Sequence, residues 1–281
     1  MSPEQQQQLH GVREELRRDE AEAEAEAEAT TGPVAVAPAL CIELEHVSLA
    51  FDHPILVDLD MAVATGETLL VLGESGMGKS TILKLILRLL LPDEGVVRIF
   101  GEEINHLSFA EVLEVRRRIG MVFQNSALFD SMTVYDNVAY PLRENTEMDE
   151  AEVERIVREK LEFVNLEPDQ VIDQLPSELS GGMRKRVGVA RAIATSPEIV
   201  LYDEPTAGLD PMTVETITDL IKKLQRELGV TSILVTHDLR AGFKVATRVN
   251  LLQAGRVGFS GTPEDVVAST DPYIRAFINA S

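Results

Sequence analysis

Residues 73–80 read Gly-Glu-Ser-Gly-Met-Gly-Lys-Ser, directly after the apolar run Thr68–Leu72 and directly before the apolar stretch that leads to Pro92. No other segment constrains the fold as tightly. Glycines at this spacing let the main chain curl until consecutive N–H groups face one centre, and a helix opening at Lys79-Ser80 adds the positive end of its dipole. Phosphate is the ligand that suits such a loop. The Lys79 ammonium can neutralise β- and γ-phosphate charge, and the Ser80 hydroxyl can ligate Mg²⁺. A chance glycine-rich turn lacks this context of strand before and helix after. The pattern predicts a buried strand at Thr68–Leu72 and an apolar helix over Ser80–Leu91 that stops short of Pro92.

A second apolar run, Ile199–Tyr202, ends in two carboxylates, Asp203 and Glu204. Alone this says little, since strands often end in acids. Beside a phosphate loop, Asp203 suits an outer-sphere role at Mg²⁺ opposite Ser80. Glu204 would then face the γ-phosphate and polarise the attacking water. The segment Leu179-Ser180-Gly181-Gly182-Met183 precedes a helix that runs on to Ala194. Ser180 and the N–H groups after it form a second candidate anion site. The alternative is an ordinary serine cap, but two glycines in a first turn weaken a helix and a cap alone does not need them. Arg184, Lys185 and Arg186 follow. Cations there oppose the helix dipole and hint at phosphate, although a solvated basic turn is the preferred reading of such a run.

The remaining pattern is α/β. Cys41–Phe51 alternates as a strand, with a slip at Glu45-His46 that marks a bulge or a boundary. Ile119–Phe123 and Ser232–Val235 are short apolar runs suited to buried strands. Asp149–Val164 reads as an amphipathic helix, Asp149 its N-cap, with Val153, Ile156, Val157, Leu161 and Val164 on one face. Thr213–Glu227 is helical, Val249–Leu252 and Arg256–Phe259 flank a hairpin turn, and Thr262-Pro263 opens a last helix. This order implies an α/β fold with a mostly helical subdomain at about residues 125–195. Residues 1–40 differ. The first thirty hold nine acids, three arginines and an Ala-Glu repeat without an apolar stripe. They read as a solvated acidic tail, followed by a Pro/Ala linker to Leu40, with the globular domain at 41–281.

Charge and composition narrow the partners. With 26 Lys+Arg against 47 Asp+Glu and a net charge of −21, nucleic acid is not an expected partner. The longest uncharged stretch, Ala29–Ile42, is fourteen residues and contains Gly32, Pro33 and Pro38, against about 20 apolar residues for a membrane span. The first residues lack a secretory signal. The single cysteine, Cys41, excludes a disulfide framework or a multi-cysteine metal site and fits a reducing compartment.

The phosphate loop, the Leu-Ser-Gly-Gly segment and the strand ending Asp-Glu, in this order over about Ile42–Gly261, resemble the ATP-binding cassette (ABC) ATPases. The resemblance implies a P-loop NTPase core with an antiparallel β subdomain and an inserted helical subdomain, and ATP and Mg²⁺ as ligands. It assigns Gly73, Glu74, Ser75, Gly76, Met77, Gly78, Lys79, Ser80 and Thr81 to the nucleotide, and Ser80, Gln124 and Asp203 to the metal. Glu74 is not a residue the pattern requires, and its carboxylate should turn away from phosphate. Phe51 would stack on adenine, a core phenylalanine being the alternative. Gln124 would sense the γ-phosphate. Ala207–Asp210 would form the dimer-interface loop, with Asp210 at the nucleotide, and His237 would be the switch histidine beside the catalytic Glu204, Gln124 and Lys79. In this family Ser180, Gly181 and Gly182 of one copy close on the phosphate loop of another. One complete set per chain therefore implies a head-to-tail homodimer with two ATPs.

Within the family the chain is similar to the ATPases of MCE-linked lipid-trafficking systems. Met183 stands where most cassettes have Gln, and Phe123–Phe129 and Asp136–Glu144 follow that group's pattern. The implied setting is a phospholipid transporter on the cytoplasmic face of an inner membrane, with integral-membrane permease subunits and an MCE-domain lipid-binding protein. A permease helix would dock at Asn125–Tyr140, where Leu128, Phe129, Met132, Val134 and Tyr135 supply either an apolar pocket or helical core. Another importer-type cassette, or a non-transport scaffold ATPase, shares the ATP motifs. Chromosome-structure ATPases need long coiled coils and ABC translation factors need two cassettes, so neither fits.

Overall fold

Thr68–Leu72 forms β3, and every residue of it is buried. Its side chains divide between two apolar clusters, Leu69 and Val71 in one, Leu70 and Leu72 in the other. β7 (Ile199–Asp203) and β8 (Thr231–Val235) divide the same way, Leu201 and Ile233 to one side, Tyr202 and Leu234 to the other. A strand covered on both faces has no solvent side, which is why these runs do not alternate with polar residues. The computed structural model describes residues 39–74 and 76–280. The acidic tail and most of its linker, together with Ser75 of the phosphate loop, lie outside the described residues.

β3 sits inside a six-stranded sheet of order β10 (Arg256–Gly261), β9 (Arg248–Gln253), β3, β8, β7, β6 (Ile119–Val122). Its pairs are parallel except the terminal β9–β10 hairpin. A second, antiparallel sheet has the order β2 (Pro54–Ala64), β1 (Leu40–Ala50), β4 (Glu94–Ile99), β5 (Glu102–Glu103). The predicted slip is present: both ladders of β1 lose register beyond Leu44-Glu45, and His46 takes a positive φ of 52°. β1 begins at Leu40, which pairs with Ala64, and stops at Ala50, so Phe51 falls in the bend that follows.

Helix α1 (Lys79–Ile86) shares an apolar cluster with both sheets. Ile82, Leu83, Leu85 and Ile86 join Ile42, Leu44 and Val97 of one sheet and Leu69 and Val71 of the other. The helix is buried continuously from Ile82 to Ile86 except at Lys84, which is exposed. It ends at Ile86, not at Leu91 as the apolar run suggests. Arg88 turns left-handed at φ 48°, its N–H donates to Leu85 O, and Leu89 N–H reaches back to Lys84 O. Leu89 and Leu91 stay exposed.

α2 (Phe109–Arg117) precedes β6, and its Val115 joins the cluster around α1. The other face of the parallel sheet carries the helices that follow β6: α3 (Val134–Asn145), α4 (Glu150–Phe163), the short α5 (Pro168–Val171) and α6 (Gly181–Ala192). Val138 and Leu142 of α3, Val153, Val157 and Leu161 of α4 and Val187 of α6 share one core. Asp149 caps α4 by accepting from Glu152 N–H at 2.9 Å, as its sequence indicates. Val134 is fully buried, and Leu128 and Tyr135 pack against the same core. Those three therefore belong to the helical core, not to an apolar docking pocket. α7 (Pro211–Leu228), α8 (Leu239–Val245), α9 (Pro263–Ala268) and α10 (Pro272–Ala280) complete the chain. Among the described residues no helix is long and apolar enough to cross a membrane.

Candidate nucleotide-binding site

Parallel register brings four distant segments to one edge. Val71 pairs with Val235, Val235 with Asp203 and Tyr202 with Val122, so β3, β8, β7 and β6 end side by side. The loops leaving these ends carry Gly73–Gly78, His237, Glu204 and Gln124 in turn. Ligands of open α/β sheets bind outside such carboxyl ends, where the chain leaves the sheet and its N–H groups are free of the ladder.

Gly76 and Gly78 take φ of 84° and 87°, a conformation that favours glycine. At Gly78 a Cβ would also meet Leu56 Cδ2 at 2.8 Å and Ile55 Cγ2 at 2.9 Å, so the antiparallel sheet presses directly on the loop. Gly78 opens α1 without a side-chain cap. Ser108, Thr133, Asp149, Asp210, Asp238 and Thr262 cap theirs. The uncapped first turn, which includes Ser80 and Thr81, keeps N–H groups for an anion. Lys79 Nζ donates to Gly73 O at 2.7 Å and Glu74 O at 2.9 Å. Burial pushes its ammonium pKa down, while the carboxylates of Glu204 and Asp203 oppose that shift. Glu74 is exposed, and its charge is felt at Tyr273 of α10, whose phenol is raised first by burial. Met77 packs on the apolar cluster beneath the loop.

Ser80 Oγ donates to Asp203 Oδ1 at 2.9 Å. A hydroxyl and a carboxylate at this separation are hard oxygen donors of the kind Mg²⁺ takes, so the pair fits the metal. Glu204 follows in the left-handed region at φ 48°, with its N–H on Val235 O at 2.8 Å. Three groups converge on its Oε2: Thr236 Oγ1 at 3.1 Å, His237 N–H at 3.3 Å and His237 Nδ1 at 2.9 Å. The His237 side chain is 72% exposed and that of Glu204 only 14%, so the carboxylate sits in the wall and the imidazole covers it. Thr236 carried no distinguishing signal in the sequence, being one more polar residue at a strand end. Gln124 is exposed and is held through its main-chain carbonyl, which accepts from Lys185 Nζ. Phe51 is 60% exposed, which removes the core alternative for it.

Ser180 is the N-cap of α6, its Oγ accepting from Met183 N–H at 3.2 Å. The two glycines after it differ. A Cβ at Gly181 meets nothing closer than 3.9 Å, whereas one at Gly182 would lie 2.6 Å from Thr213 Cγ2. Gly182 therefore has a packing reason, which corrects the expectation that a structural cap needs neither glycine. Asp210 caps α7, accepting from the N–H groups of Met212 and Thr213 at 3.1 Å each. The Thr213 hydroxyl holds its carboxyl below the ordinary range. The basic run is solvated only in part. Arg184 is exposed and donates to Leu179 O, Arg186 donates to Asn165 O, both at 2.6 Å, and Lys185 is buried. Asn137, also missed by sequence reasoning, is fully buried and holds the loop after Gln124 through Phe129 N–H at 2.8 Å and the carbonyls of Phe129, Met132 and Thr133.

A sequence profile of ABC transporter proteins matches residues 56–207, more than half of the chain. The chain is an ABC transporter ATPase. This ABC ATPase is 40% identical over 238 residues to the intermembrane phospholipid transport system ATP-binding protein MlaF of Haemophilus influenzae, covering 84% of this chain and 89% of that protein. It is 38% identical over 248 residues to the probable ribonucleotide transport ATP-binding protein mkl of Mycobacterium leprae, covering 88% and 70%. The dimeric structure of a post-hydrolysis state of the ATP-binding cassette MJ0796, bound to ADP and Pi, superposes with a TM-score of 0.72 at 34% identity, covering 79% of this chain and 98% of that one. The ABC ATPase binds nucleotide and hydrolyses ATP, and the P-loop fold read from its sequence is the one observed.

Proposed function

We propose that this ABC ATPase powers phospholipid movement between bacterial membranes, as one of two copies in a head-to-tail dimer seated on a permease at the cytoplasmic face. The observation that carries the cargo is the likeness to MlaF over 89% of that protein's length. The likeness to mkl, named for ribonucleotides, extends over 70% of the longer protein. An MCE-domain lipid-binding protein belongs to the same proposal.

In this proposal the Gly73–Thr81 backbone and the Lys79 ammonium bind the phosphates. Ser80, Gln124 and Asp203 are the residues that would hold Mg²⁺, which would supply positive charge against the phosphates when bound. Glu204 accepts the proton of the attacking water, while His237 and Thr236 fix the orientation of its carboxylate. Ser180, Gly181 and the Asp210 loop of one copy close on the phosphate loop of the other, as the dimeric MJ0796 cassette supports. Phe51 stacks on the base. Phe51→Ala is expected to weaken ATP binding roughly fivefold, about 1 kcal/mol, by fluorescence titration with a nucleotide analogue; unchanged affinity would remove Phe51 from the site.

The permease contact falls to a groove of about 370 Å³ between α2, the end of β6, α3 and α6. Phe123, Phe129 and Tyr140, each about 40% exposed, line it together with Arg116 and Arg117. The Phe129 and Tyr140 rings pack at 5.0 Å between centroids. A short amphipathic helix from a membrane subunit suits a groove lined by aromatic rings. The experiment is a tagged pull-down from detergent-solubilised membranes, with mass spectrometry of chains and lipids. A multi-span permease, an MCE-domain protein and enriched phospholipid are the expected outcome. A different permease with a soluble substrate-binding protein would overturn the cargo, and no membrane partner would overturn the transporter.

A further inference from the structure

One face of α6 is spent on the loop that carries Gln124. Lys185, Gly188 and Arg191 recur at every third position and therefore line up along the helix. Lys185 Nζ donates to Gln124 O. A Cβ at Gly188 would meet Ser126 Cβ at 3.2 Å, so the loop lies directly on the helix there. Arg191 donates to Ser126 O at 2.8 Å and Ala127 O at 2.7 Å. Ser126 and Ala127 both sit in the left-handed region, at φ 60° and 45°. Two consecutive non-glycine residues there cost energy, and only surrounding contacts keep them so.

Lys185 does one thing more than Arg191. Its ammonium also lies 3.5 Å from Glu204 O, at the end of β7. Both acceptors are main-chain carbonyls, one from the Gln124 loop and one from the residue that bears the proposed base. The side chain is buried, at 6% exposure. Burial lowers its pKa, and the charge of Glu204 works against that shift, which places the carboxylate within electrostatic reach. In such a site an ammonium between two carbonyl dipoles is shielded from water; it bonds Gln124 O and reaches Glu204 O at the outer limit of a hydrogen bond.

We propose that Lys185 is a positioning residue for ATP hydrolysis, tying the loop that carries Gln124 to the strand end that carries Glu204. The inference rests on the roles given to those two residues above. With the tie in place, the γ-phosphate sensor and the base keep a fixed separation, and both are fixed to the helix that begins at Ser180. Without it the strained loop can relax while the phosphate loop, on a different strand, stays as it is. Binding and turnover should therefore separate.

The test compares Lys185→Met and Lys185→Gln with the parent full-length protein, measuring steady-state phosphate release, binding of a fluorescent ATP analogue and the thermal midpoint. Lys185→Met keeps length and apolar stem but donates nothing. Its kcat is expected to fall about tenfold or more, the scale of a small misplacement of catalytic groups, with the KM for ATP within about twofold. Lys185→Gln, one bond shorter, keeps two N–H donors and is expected to restore kcat to within about threefold of the parent. Lys185→Thr, too short to span the carbonyls, replaces the methionine variant if that one does not fold. Parent-like kcat in Lys185→Met overturns the tie. So does a joint fall in kcat, ATP affinity and thermal midpoint that glutamine does not rescue, since that is the mark of a merely structural lysine. Glu204→Gln, run alongside, separates the two levels. Full activity there overturns the role of Glu204 itself, whereas an inactive Glu204→Gln beside a fully active Lys185→Met overturns the tie alone.

Discussion

Glu204→Gln is expected to bind ATP as the parent does while turnover falls about 10²- to 10⁴-fold, the contribution of a positioned general base. The substitution is close to isosteric. The donors from Thr236 and His237 converge on Oε2 alone, and an amide oxygen can take that place, so the loop has no reason to move. What is lost is the basic lone pair that takes the proton of water. With binding intact and hydrolysis stalled, the ATP-bound dimer should accumulate. Size-exclusion chromatography with light scattering, with and without MgATP, reads this as a stable doubling of mass in the variant and a transient one in the parent. Phosphate release at the parent rate would show that another group is the base. A slow variant that stays monomeric with ATP would separate the chemistry from the two-copy arrangement.

Lys79→Ala acts one step earlier. Its ammonium holds the loop through the carbonyls of Gly73 and Glu74 and faces the charges of Asp203 and Glu204. Alanine leaves two carboxylates at the place where the β- and γ-phosphates must arrive, without the cation that makes the place electropositive. A loss of about 3 kcal/mol, roughly 10²-fold in ATP affinity, is the scale for removing one aligned charged donor. Isothermal titration with ATP measures it. Affinity within a few-fold of the parent would mean that the loop amides carry the binding and that the ammonium acts only in turnover.

Where a residue's task depends on short-range spacing, the sequence disclosed it. The phosphate loop, the apolar strands on either side of it, the bulge beyond Glu45 and the Asp149 cap are each fixed by neighbours within a few positions. The misjudged elements are set by distant contacts. The apolar run Leu87–Leu91 promises more helix, but Arg88 turns the chain after Ile86 and leaves Leu89 and Leu91 exposed. Arg184, Lys185 and Arg186 have the composition of a wet surface, yet each finds a carbonyl that no local pattern announces. Lys185 and Gln124 lie far apart in the chain, and nothing in either segment alone indicates that they meet. Val134 and Leu128 look like a docking surface, yet both pack into the core that α3, α4 and α6 share.

The contact between Gly182 and Thr213 bears on how such proteins can be recombined. Position 182 has room for hydrogen only, because the threonine methyl of the next long helix occupies the space a side chain would need. Thr213 is itself engaged, its hydroxyl on Asp210 Oδ2 at 2.5 Å. A chimera that grafts the Leu179–Met183 segment of a cousin into this chain must therefore bring its partner at 213 along, and with it the turn that Asp210 starts. Swapped alone, a segment with alanine at 182 collides. Swapped as a pair, with serine at 213, the hydroxyl stays on Asp210 and the methyl that caused the collision is gone. Two stretches that lie far apart in sequence must therefore be exchanged as one unit.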